Sequence, residues 1–250
     1  METETLRVGI LFNGFVTAIV SATAFALLLF LVQRWKTLTP GMRSYAWFWG
    51  FTSLVWLAVT IRYIMVVAGI NTPSIHRVNE FIVETAVFGS GIALYIYLGR
   101  QLFKKRLVTI ILGVTSTTLA CLALWQLLQP NAFHPAEITF FTADPKPNFF
   151  FLVIFGILAT LGLLMLFYHS IKRFRIWRRG NRETVPYEAL YSASLIVYVM
   201  LGMIDQAKLI IDWPLIVFRI LYTAVFLAAY LIMAAEEARR KDAFIISSEN

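Results

Sequence analysis

Seven long apolar segments constrain this chain more than any other feature: they lie near residues 8–33, 44–69, 79–102, 107–128, 148–171, 188–211 and 214–235. Each is long enough to cross a hydrocarbon core of about 30 Å, which takes roughly 20 residues of helix. In lipid, every backbone amide of such a run must find a partner within its own segment, so runs of this length predict helices. The alternating pattern of a membrane barrel strand is missing. The expected fold is therefore all-α, a polytopic membrane protein of seven transmembrane helices. Residues 1–235 would form the membrane domain and residues 236–250 a C-terminal helical tail. Composition agrees, with 59% of the 250 residues hydrophobic and 14% charged, against about 45–50% and about 25% in soluble domains.

The distribution of positive charge predicts an orientation. Arg34, Lys36 and Arg43 follow the first segment, and Arg100, Lys104, Lys105 and Arg106 follow the third. Lys172, Arg173, Arg175, Arg178, Arg179 and Arg182 follow the fifth, and Arg239, Arg240 and Lys241 the seventh. The other side carries only Arg7, Arg77 and Lys146. Basic residues remain cytoplasmic during insertion, which places the N-terminus outside and the C-terminus inside. The same bias accounts for the run "IKRFRIWRRGNR", so nucleic acid is not an expected partner. Trp35, Trp47, Trp49 and Trp177 fall at the inner interface, and Trp125 and Trp213 at the outer one, where amphipathic rings settle. Trp56 falls in mid-membrane. The opening "METETLR" has neither the basic start nor the cleavage site of a leader. The lone Cys121 permits no intramolecular disulfide.

Against this apolar background the charged residues stand out. The stretch "MLGMIDQAKLIIDWP" (200–214) carries Asp205, Lys208 and Asp212. With Tyr191, Ser194 and Tyr198 they recur at spacings of three, four and seven, one face of a helix that should point into the bundle. Other helices bring Arg62, Glu80, Glu84 and Arg219, and the first carries Asn13, Thr17 and Ser21 at i,i+4 spacing. At 1.5 Å per residue, Arg62, Glu84, Asp205 and Arg219 lie about 8–11 Å inside their outer helix ends. Lys208 is a turn shallower, and Glu80 and Asp212 belong to the rim. An unpaired ion in hydrocarbon costs about 2.5–3.5 kcal/mol on insertion scales, so interhelical pairs are expected. Arg62 with Glu84 and Asp205 with Arg219 are the pairs the depths suggest.

Two uses of this layer are open. The pairs lock helix register, or Arg62, Glu84, Asp205, Lys208 and Arg219, with Trp56, Tyr63, Tyr198 and Tyr222, line an outward-facing pocket for a small ligand. The outer connection 129–147, with four prolines and several aromatics, reads as an ordered lid or a segment lying along the interface. The inner hydroxyls, including "TSTT" (115–118), are expected to bond back to their own helices.

Enzymatic chemistry is not expected. The three histidines, His76, His134 and His169, do not converge at one depth as zinc or haem would require. Neither a nucleophile–base pair at a shared depth nor a phosphate loop is present. Neither a cofactor nor a metal is predicted.

The stretches "PGMRSYAWFWGFTSLVWLA" (40–58) and "EEARRKDAFI" (236–245) resemble parts of the N-terminal seven-helix sensor modules of bacterial sensor kinases and diguanylate cyclases. The resemblance implies a receptor-like module in the bacterial inner membrane. A ligand would bind in the outer charged layer, and helix 7 would pass a signal to a cytoplasmic partner or a second copy. No phosphate-accepting histidine follows the second stretch. Rhodopsins and G-protein-coupled receptors share only the helix count, since helix 7 here has Arg219 and no membrane lysine. A small-solute transporter using the same pocket and a structural subunit of a membrane complex are the alternatives.

Overall fold

The computed structural model of the chain describes residues 2–70, 72–103, 105–129, 133–134, 139, 141–144, 146–180, 187–210 and 212–248. Its helices are α1 (Glu2–Val32), α2 (Pro40–Val67), α3 (Pro73–Leu102), α4 (Arg106–Leu127), α5 (Phe149–Arg179), α6 (Tyr187–Gln206) and α7 (Trp213–Ser248). All seven contain a stretch long and apolar enough to cross a membrane. Two short strands, β1 (Phe133–His134) and β2 (Lys146–Pro147), pair antiparallel within the α4–α5 connection.

Local chemistry sets several helix ends. Pro40 opens α2, and the Thr39 hydroxyl accepts from the Met42 amide at 3.3 Å. Proline suits a first turn because its missing amide proton would be unpaired there anyway. Asn148 caps α5 by accepting from the Phe151 amide at 2.8 Å. α2 stops in a Schellman motif: Gly69 has φ 79°, its amide reaches the Val66 carbonyl, and the Ile70 amide reaches Met65. α6 stops in the same motif, with Lys208 in the position that Gly69 holds.

Each helix packs against the next in sequence, α7 closes back on α1, and α3 also reaches α5. α4 touches chiefly α3 and α5 and is the least buried helix. Its Ser116, Thr117 and Thr118 hydroxyls donate to carbonyls of its own preceding turn. The lipid-facing sides carry exposed Phe15, Leu54, Leu57, Ile61 and Leu164. The α1–α2 seam is polar: Asn13, Thr17 and Ser21 are buried. Thr60 donates to Thr17 at 3.0 Å, and Ser21 and Ser53 exchange hydroxyl-to-carbonyl bonds at 2.9 and 3.2 Å. Small hydroxyl residues allow such close approach and supply directional bonds where hydrophobic contrast is lacking.

Aromatic rings fill the middle of the bundle. Trp49 is fully buried, with its ring centroid 4.8 Å from that of Phe226 and 5.0 Å from that of Phe48. That corrects its expected place at the interface, which Trp47, Trp125 and Trp213 do suit by their exposure. Trp56 packs into the core with its centroid 4.6 Å from that of Tyr222.

Two helix boundaries differ from expectation. α3 begins at Pro73, six residues before the expected 79, which sinks Glu80 about 9 Å deeper than a rim residue. α6 ends at Gln206 instead of 211, so Lys208 and Asp212 lie in the α6–α7 turn and not on a helical face. Both adopt positive φ, 51° and 58°.

Candidate functional site

The end of the bundle where α1 begins also carries the α2–α3, α4–α5 and α6–α7 connections. Just inside it, two arginines from the helices flanking α1 meet. Arg62 of α2 and Arg219 of α7 are each 1% exposed. Between them sits a carboxylate contributed by neither helix. Asp144, from the connection preceding α5, places Oδ1 2.8 Å from Arg62 Nη2 and Oδ2 2.7 Å from Arg219 Nη2. The Tyr63 hydroxyl donates to the same Oδ2 at 3.1 Å and accepts from Arg219 Nη1 at 2.5 Å. Lys208 Nζ lies 3.8 Å away on a third side.

This Asp144 seat is fastened twice. Thr142, Ala143 and Asp144 are all buried. Asn13 of α1 donates to the Phe141 carbonyl at 2.5 Å while its own oxygen accepts from Arg219 at 2.7 Å. Burial alone would push the Asp144 carboxyl upward. The Lys208, Arg62 and Arg219 cations outweigh it and hold the group well below the usual carboxylate range.

The expected pairs are partly redrawn. Arg62 pairs with Glu80, not Glu84. The earlier start of α3 explains the exchange: Arg62 lies five residues from the end of α2, and Glu80 seven from the start of α3. Those positions are about 7.5 and 10.5 Å deep, whereas Glu84 is about 16.5 Å deep. Glu84 instead accepts from Gln206, the last residue of α6. Asp205 lies 3.9 Å from Arg219 and 4.0 Å from Lys208, a looser contact than expected because Asp144 occupies the front of the guanidinium. The ion pairs among the described residues thus set three cations, Arg62, Lys208 and Arg219, against three carboxylates, Glu80, Asp144 and Asp205.

Beneath the ions lies a cavity of about 140 Å³. Arg62, Glu80, Asp205, Lys208 and Arg219 belong to its lining at the charged end. The remainder is largely apolar, with Phe48, Val55, Phe88, Leu158 and Val199 among the walls. Trp56, Tyr198 and Tyr222 line it too, with Tyr198 and Tyr222 centroids 5.6 Å apart. Of the residues expected from sequence to line the pocket, Glu84 and Tyr63 stay outside this lining; Tyr63 bonds to Arg219. The indole N–H of Trp56 and the Nε–H groups of Arg62 and Arg219 are buried donors without a hydrogen-bond partner among the described residues. The space is amphiphilic: charged at one end, greasy along its length, and edged by donors.

Asp144 is the residue that sequence reasoning missed. The charge count gave no signal for it, because with Glu80 and Asp212 at the rim the expected layer already brought four acids to three cations.

The fold and the site define a polytopic seven-helix membrane bundle with an ion-roofed internal cavity. No protein-family profile matches the chain, and neither a curated protein nor a solved structure matches it significantly.

Proposed function

We propose that this chain is a receptor-like sensory module that binds a small ligand in the ion-roofed cavity and signals through α7. One observation carries the reading: a single helix, α7, supplies both Arg219 in the roof and Tyr222 in the wall. It then continues to Ser248, beyond the apolar span that ends at Glu236. A ligand that shifts Arg219 or Tyr222 acts on a helix that leaves the bilayer. Coupling of this kind requires only that the ligand prefer one of two α7 positions.

The basic connections all lie opposite the ion cluster, which supports a cavity end facing outward and a cytoplasmic C-terminus in a bacterial inner membrane. A transporter would need a polar route beyond the cavity. The hydroxyls on α4 turn back on their own helix, and those of α1 and α2 are taken up between the two helices, which favours sensing over transport.

The test is to fill the cavity. A Cβ at Gly202 would sit 3.9 Å from the Tyr222 hydroxyl, so the Gly202→Leu side chain extends into the cavity. The variant should fold, lose ligand-dependent stabilisation and lose ligand-dependent engagement of a cytoplasmic partner. Substrate flux into sealed vesicles by the wild type would instead establish transport.

A further inference from the structure

The ion cluster has an arrangement that register-locking pairs do not need. Arg62 and Arg219 come from the two helices that flank α1, and the carboxylate that bridges them belongs to neither helix. A carboxylate comes in from a connecting segment, seats both oxygens on the two guanidinium groups and takes a phenolic hydrogen bond as well. Two guanidinium groups and a hydroxyl converging on one carboxylate form a carboxylate-recognition site. Lys208 reaches the same carboxylate from a left-handed backbone position, φ 51°, which a side-chain-bearing residue occupies only at a cost. The three cations belong to the cavity lining, and Asp144, which holds them together, does not.

Resting on the ligand-binding reading above, we propose that the cavity takes a monocarboxylate with an apolar tail, whose head group exchanges with Asp144 at Arg62, Arg219 and Lys208. The tail lies along the greasy walls between α2, α3, α5 and α6, while the head takes the guanidinium groups. Charge balance requires the exchange. The three cations already hold three paired carboxylates, so a further one would be an uncompensated buried charge. If Asp144 leaves for water as the ligand arrives, the count is unchanged. Asp144 thus acts as a tethered competitor. A cationic ligand cannot take the place of Asp144 between the two guanidinium groups, and an ester would present no charge to them.

The experiment uses the full chain in lipid nanodiscs with octanoate, methyl octanoate and octylamine, read by calorimetric binding and by thermal unfolding. Octanoate should bind and raise the unfolding temperature, and the ester and the amine should not. Asp144→Asn keeps the shape of the side chain while removing the competing charge. It should bind octanoate about tenfold or more tightly than the wild type, because the competent state is no longer a minority. Asp144→Ala, even if poorly folded alone, should be rescued by octanoate and not by its ester. Equal binding of the ester or the amine, or unchanged affinity in Asp144→Asn, would overturn the carboxylate exchange. A different small molecule retained in the native mass spectrum would then leave the ligand-binding reading standing. A bare protein that none of the three compounds stabilises would overturn both.

Discussion

Asp144 gives the ion cluster its electrostatic logic. Without its charge, Arg62 would keep Glu80, but Arg219 would keep only Asp205 at 3.9 Å, a hydroxyl and an amide. Removing one partner of a buried pair typically costs about 3–5 kcal/mol, because the remaining charge stays desolvated. Asp144→Ala should lose stability on that scale in detergent unfolding, and a loss below about 1 kcal/mol would mean that water reaches the site. The sign of the pH dependence follows from the depressed carboxyl. Its contribution is fully present above the ordinary carboxylate value of about 3.9 and is lost as pH falls below it. The stability gap between the wild type and Asp144→Asn should therefore be constant from neutral pH to about 5 and narrow below about 4. Thermal unfolding across that range checks it.

At this scale the sequence was legible where charge interrupts an apolar run. Arg62, Asp205 and Arg219 announce themselves because lipid tolerates them poorly. Asp144 does not, since an aspartate in a polar, proline-containing connection looks like any other turn residue. The charge count did not betray it either, because Glu80 and Asp212 already balanced the cations.

Among the elements, the ends of α3 and α6 decide which charges meet. Hydropathy placed seven helices because apolar runs are unambiguous, but it placed their ends poorly where polar residues are buried. "PSIHRVNE" reads as an exposed approach to α3, yet Asn79 and Glu80 are buried there. Asn79 donates to the Ala58 carbonyl at 2.9 Å, and Glu80 takes Arg62. At α6, "DQAKLIID" continues a helical period, but the chain ends the helix with a lysine in a left-handed position. Lys208→Gly removes that backbone cost, worth about 1 kcal/mol, and also removes the ammonium near Asp144. Stability should hold or rise slightly while affinity for a carboxylate falls; a clear loss of stability would show that the ammonium matters more to the fold than the backbone does. The α2–α3 contact gives a second check. A Cβ on Gly89 would lie 2.8 Å from the Phe51 ring, whereas one on Gly91 meets nothing within 4 Å. Gly89→Ala should cost about 1–3 kcal/mol through overpacking, and Gly91→Ala should be neutral or better. Paired melting curves distinguish the two.

For the molecule as a whole, α7 is the element that joins the cavity to the cytoplasmic side in the proposed orientation. It contributes Arg219 to the ions, Tyr222 to the wall and Phe226 to the aromatic core, and then runs on to Ser248. The side chains of Glu237, Arg240 and Lys241 in this projecting part lie outside the described residues. Deleting residues 237–250 should leave ligand binding within about twofold of the wild type, since the described lining residues of α7 are Arg219 and Tyr222. The deletion should abolish the response of a cytoplasmic partner. If that response survives, α7 is not the route.

The most direct measurement is the native mass of the intact protein, extracted in mild detergent with non-covalent ligands retained, beside that of Gly202→Leu. A ligand-binding cavity predicts a stoichiometric small molecule on the wild type that is missing from a variant with the same unfolding temperature. Equal masses of bound material on both, or a bare wild type that no small molecule stabilises, would contradict it and leave the ions the task of holding the helices in register.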